Sequence, residues 1–179
     1  MTTAAMTEPT ALPAPDTAPA PRLLGLRAVL ILAALFEAFD AYSNLFILFG
    51  DMSEIPGPGF GGFLIKAHIA SHLPLALAAL VFAAIGRVRY AIMALAAVVI
   101  MTWLNYMPSV VPRGLDFQGN AAFETPAQII AFPLMAACAI ACAARNQRLG
   151  IATVLVSIPT LFNLFFVVAF AISVAIYGF

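Results

Sequence analysis

Charge is what this sequence has least of. Only 9% of its 179 residues are Asp, Glu, Lys or Arg, where a soluble domain carries about 25%. Charge that sparse cannot cover a surface in contact with water. With 64% hydrophobic residues and a mean hydropathy of +1.04, the medium around most of this chain must be lipid. Basic runs are absent and the formal net charge is zero, which excludes the basic face a nucleic-acid partner requires. The two cysteines, Cys138 and Cys142, are too few for a disulfide framework. The two histidines cannot supply the several histidine boxes expected of membrane hydroxylases. No internal repeat marks the chain as an inverted-repeat transporter.

What is present is a succession of long apolar segments. Residues 1–21, rich in Pro, Ala and Thr, have no apolar period and read as a disordered cytoplasmic tail. Arg22 and Arg27 follow the tail, and the apolar stretch after them continues to Gly50, which favours an uncleaved anchor over a signal peptide. About 20 residues at 1.5 Å each span the hydrocarbon core. On that measure five segments qualify: 26–50, 63–86, 90–108, 127–144 and 149–177. The expected fold is all-α, a single domain over residues 22–179 forming a bundle of about five transmembrane helices. Its partner is the lipid bilayer, with a homo-oligomer or larger membrane complex left open. Arg22, Arg27, Arg87, Arg89, Arg145 and Arg148 all fall at one end of such a bundle. The positive-inside rule then puts the N-terminus in the cytoplasm and the C-terminus outside, in the plasma (inner) membrane if the source is bacterial.

The first segment nevertheless carries EAFDAYSN at its centre, and Glu37, Asp40 and Asn44 share one helix face. The second carries KAHIASH, with His68, Ser71 and His72 on one face and Lys66 pointing elsewhere, free to snorkel. Counting 1.5 Å per residue from the outer ends, Asp40 and His72 lie roughly 15 Å deep and Asn44 and His68 roughly 9 Å deep. Antiparallel packing then predicts Asp40 level with His72 and Asn44 with His68, with Glu37 one turn deeper. An ionised side chain at the bilayer centre costs about 2.5–3.5 kcal/mol, so these groups must face the bundle interior and meet one another, an ion or water.

Three kinds of site fit. The first is a metal site: Glu37, Asp40, His68 and His72 supply two imidazoles at i, i+4 and carboxylates from the neighbouring helix. That set suits Zn, Fe, Mn or Cu, and an open site would activate water or dioxygen for work on a lipid-phase substrate. HIASH lacks the glutamate of a zinc-protease helix, so Glu37 or Asp40 would be the catalytic base. Asn44 and Asn163 are candidates for holding the ligands or a cofactor from behind. The second is a proton-coupled transporter in which the acids and histidines form a relay, with Pro74 and Pro159 opening backbone carbonyls to a cavity. The third is an accessory subunit of a membrane complex, in which an Asp–His cluster only holds helices together at about 0.6 kcal/mol. A haem held by His68 and His72 together is excluded, because both lie on one face of one helix. Cys138 and Cys142 in AACAIACAA read as small packing residues. Asn105 and Tyr106 are expected at the outer interface, with Asp116 and Glu124 solvated in the outer loop.

Overall fold

The computed structural model describes residues 21–49, 60–119 and 121–178. The expected tail and the Pro/Gly turn between the first two segments lie outside these. Among the described residues every regular element is helical. Helix α1 runs from Pro21 to Asn44 and tightens into a short 3₁₀ turn, Leu45–Phe49. Helices α2 (Phe60–Ala84), α3 (Val88–Arg113), α4 (Ala121–Ala144) and α5 (Leu149–Tyr177) follow. The four helices α2 to α5 are long and apolar enough to cross a membrane. Helix α1 matches them in length with 24 residues but carries Arg27, Glu37 and Asp40. Large side chains such as Leu32, Phe39, Leu161 and Phe165 point outward, as a lipid-facing surface requires.

Two contacts set the register of α1 against α2. Glu37 meets His72, and Arg27 reaches the last carbonyls of α2, so the helices are antiparallel. The Arg27 guanidinium donates to Ala83 O at 3.2 Å and to Ala84 O at 2.6 Å, placing a cation at the negative end of the helix dipole. Helix α2 stops in a Schellman turn: Gly86 N–H bonds to Ala83 O, and Arg87 N–H to Phe82 O. Gly86 adopts φ +80° there, a conformation that costs other residues about 1–2 kcal/mol. Helix α4 ends the same way on Asn146, at φ +51°, with Gln147 N–H bonded to Cys142 O. These tight turns make α2 and α3, and likewise α4 and α5, antiparallel neighbours. Helix α3 packs against α1, α2, α4 and α5.

Helix α4 starts at Ala121 rather than near residue 127, absorbing Glu124 and Pro126 that the sequence reading left in the loop. Between Ala127 and Ala131 it widens, and Phe132 N–H bonds five residues back to Ala127 O. Pro133 has no N–H to give to Ile129 O. The chain's single tryptophan supplies one instead, Trp103 Nε1 donating to that carbonyl at 3.0 Å.

The core is concentrated at the arginine end. Leu30, Ala33 and Ala34 of α1, Ala79 and Ala83 of α2, Ile92 and Leu95 of α3, Ala136, Ala139 and Ala143 of α4, and Ala152 and Val156 of α5 are all buried there. Alanine-rich faces let transmembrane helices approach closely, and dispersion then supplies the attraction that lipid cannot. The alanines make most of the α4 contact, with the half-buried Cys142 packed against them and Cys138 exposed, both as free thiols. At the opposite end the helices carry larger and more polar residues, and the bundle opens. Gly61 marks one close approach there, since a Cβ on it would lie 3.0 Å from Pro108 of α3.

Candidate functional site

Glu37 of α1 is the centre of the site. The residue is 5% exposed, and its carboxylate is held on both oxygens. Oε2 lies 2.9 Å from His72 Nε2 of α2, also 5% exposed. Oε1 accepts a 2.6 Å hydrogen bond from Thr160 Oγ1 of α5. One carboxylate thereby ties three helices together. A proton must lie between Glu37 and His72, since a bare imidazole nitrogen and a carboxylate oxygen are both acceptors. When that hydrogen is the ring's own Nε2–H the pair carries one negative charge, and one further proton makes it neutral.

The depth match predicted Asp40 as the partner of His72; the structure gives that place to Glu37, one turn deeper. Asp40 is half-buried on the same face, and Asn44 donates to its backbone oxygen at 2.9 Å and to its Oδ1 at 3.4 Å. Asn44 therefore binds its own helix rather than reaching across to His68. His68 stacks over His72 with ring centroids 5.1 Å apart, and its buried Nδ1 has no hydrogen-bond partner. Ser71 is engaged with His68 O.

Above the pair, away from the arginine end, a cleft of about 350 Å³ opens between all five helices. Glu37 and His72 lie at its floor, and Asp40, His68, Asn105, Tyr106, Glu124, Gln128 and Asn163 line it. Asn105 and Tyr106 are thus part of the cleft rather than only of the outer interface, and Glu124 faces the cleft rather than only solvent. The buried Asn105 Oδ1 has no partner. Asn163 stands beside Glu37, where both also line a chamber of about 20 Å³ bounded by Trp103 and Pro159, room for about one water molecule. A side pocket of about 350 Å³ reaches the same histidines between α1 and α2, past Ile47 and Ile65. Below the pair the packing closes. There α5 carries two further hydroxyls, Ser157 and Thr153, both buried and both without a partner.

Sequence reasoning missed Thr160 as the partner of Glu37 and missed the α3 and α4 contributions. The signal was present in spacing. Thr102 with Asn105 and Tyr106, Glu124 with Gln128, and Thr160 with Asn163 are polar residues at i, i+3 or i+4, each on one face of its helix.

The donors suit a metal ion poorly. Of the four expected ligands only Glu37 and His72 converge, and Glu37 already spends both oxygens on His72 and Thr160. Among the described residues no three His, Cys, Asp or Glu side chains are gathered as a metal shell needs. Comparison of the chain with protein-family models, curated proteins and solved structures found no match.

Proposed function

We propose that this chain is a proton-coupled membrane transporter in which the Glu37–His72 pair takes up and releases the proton. The observation that carries the reading is an acid–imidazole pair buried at the floor of a polar cleft and clamped by Thr160. A pair that exists only to join helices would be closed off by packing on every side, as the alanine core is. This one is packed below and open above, the arrangement a proton site needs if it is to exchange with one side at a time. Gaining or losing one proton changes the charge of the pair by one unit. The change in charge in a low-dielectric site is what would couple proton binding to the movement of another solute. With the arginine end in the cytoplasm, the cleft faces the opposite side of the membrane.

The metal-binding reading rests on the same four side chains and would need Glu37 to give up Thr160 or His72, with Asp40 and His68 turning inward. Catalysis on a lipid-phase substrate would further require an open coordination position. Geometry supports the proton reading better.

Reconstitution tests it. Proteoliposomes loaded with a pH-sensitive dye should acidify under an inward proton gradient when valinomycin and potassium provide charge balance. Glu37→Gln and His72→Ala should each abolish the flux while inserting normally. Native flux equal to that of empty vesicles would refute the reading.

A further inference from the structure

The cleft reaches Glu37 from one side only, and on the other side the alanine-rich core stands between the pair and the arginine end. Helix α5 crosses that core with three hydroxyls at i, i+4 and i+7: Thr153, Ser157 and Thr160, which share one helix face. All three are buried, with exposures of 1%, 4% and 4%. Thr160 is bonded to Glu37 Oε1, while Ser157 Oγ and Thr153 Oγ have no hydrogen-bond partner. Elsewhere in the bundle a half-buried threonine does what an isolated hydroxyl in a helix usually does: Thr102 donates to Val98 O at 3.0 Å. Two unpartnered hydroxyls deep in a membrane bundle cost free energy, and they lie in line below the one hydroxyl that touches the acid.

We infer that Thr160, Ser157 and Thr153 form the second half of the proton path, carrying the proton of Glu37 through the packed core to the arginine end. The inference rests on the proposed role of the Glu37–His72 pair and says how that pair reaches the other side of the membrane. At 1.5 Å per residue the steps along the helix are roughly 4.5 Å and 6 Å. Each is short enough for one water molecule, or a turn of the hydroxyl, to complete. Pro159 lies within this stretch and removes one rung of the helix ladder, which is where a helix gives room to inserted water. The chemistry balances without any other reactant. Each hydroxyl accepts one proton and donates its own onward, so one proton leaves Glu37, one emerges beyond Thr153, and the hydroxyls are regenerated by rotation. The other titratable groups near Glu37 are His72, His68, Asp40, Glu124 and Tyr106, all of which line the cleft above.

The test uses the full-length protein in the dye-loaded vesicles, with Ser157→Ala, Thr153→Val, the double variant and Ser157→Thr. Protonation of Glu37 from the cleft is followed separately by the infrared carboxyl stretch of the purified protein. The removals should lower flux about tenfold or more, as one raised barrier of about 1.4 kcal/mol would, and leave the Glu37 band titrating as in the native protein. Ser157→Thr, which keeps the hydroxyl, should restore flux to within about twofold of native. Native flux in the double variant would overturn the path while leaving the Glu37–His72 site standing. Absence of flux in the native protein would overturn both, and the infrared titration would show whether the site itself had failed.

Discussion

The Glu37 carboxylate and the Thr160 hydroxyl stand 2.6 Å apart although 123 residues separate them in the chain. Helices α1 and α5 run parallel at this point, so the bond closes the ring of helices that α1 begins. Because Glu37 also holds His72, the three side chains form a unit whose members are not interchangeable with their polar neighbours.

His72 and His68 should therefore respond differently to removal. His72→Ala leaves a buried carboxylate with one partner lost, at a cost of about 3 kcal/mol. His68→Ala removes a stacked ring whose Nδ1 has no partner and should cost about 1 kcal/mol. Unfolding in mild detergent followed by circular dichroism would rank the two. Equal losses would mean that the Glu37–His72 contact is not what holds α1 to α2.

The hydroxyls of α5 should split in the same way. Thr160→Val strips Glu37 Oε1 of its donor and should destabilise by about 1–3 kcal/mol. Ser157→Ala removes a buried hydroxyl that satisfies nothing, and stability should stay within about 0.5 kcal/mol of native or rise. Thermal unfolding of the two variants, read beside the flux assay, separates fold from conduction.

Trp103→Phe should cost about 1 kcal/mol, because it takes the indole donor at Ile129 O away from the wide turn before Pro133. Since the protein has no other tryptophan, circular dichroism rather than fluorescence must report it. Hydrogen exchange at Ala127–Phe132 should accelerate in the variant, and unchanged exchange there would show that the indole merely fills space.

Metal removal should change nothing. Dialysis of the purified protein against a strong chelator should leave both melting temperature and proton flux at their starting values. Elemental analysis before dialysis should find transition metal well below one ion per chain. A stoichiometric ion lost together with stability would favour the metal reading of the same side chains.

Much of this was legible in the sequence. Sparse charge and five apolar runs yield the helical bundle, and the alternation of arginines yields its two ends. The i, i+3, i+7 spacing of Glu37, Asp40 and Asn44 puts them on the inner face, where the structure also puts His72. The pairing was not legible, because depth counted from helix ends drifts by a turn whenever the ends move. Here α1 continues into a 3₁₀ turn and α2 begins at Phe60 instead of residue 63, enough to exchange Asp40 for Glu37. The cleft was hidden for another reason. Glu124, Asn105 and Tyr106 look like interfacial residues one at a time. Only the early start of α4 and the opening of the bundle at that end turn them inward together.

The central claim is that Glu37 gains and loses a proton inside the membrane bundle. Infrared difference spectroscopy of the purified protein across a pH titration measures this directly through the protonated carboxyl stretch. The account predicts a titrating band that disappears in Glu37→Gln, shifts when Thr160→Val removes its hydrogen bond, and survives Asp116→Asn in the exposed loop. A native spectrum with no titrating carboxyl, or a band untouched by Glu37→Gln, would contradict it.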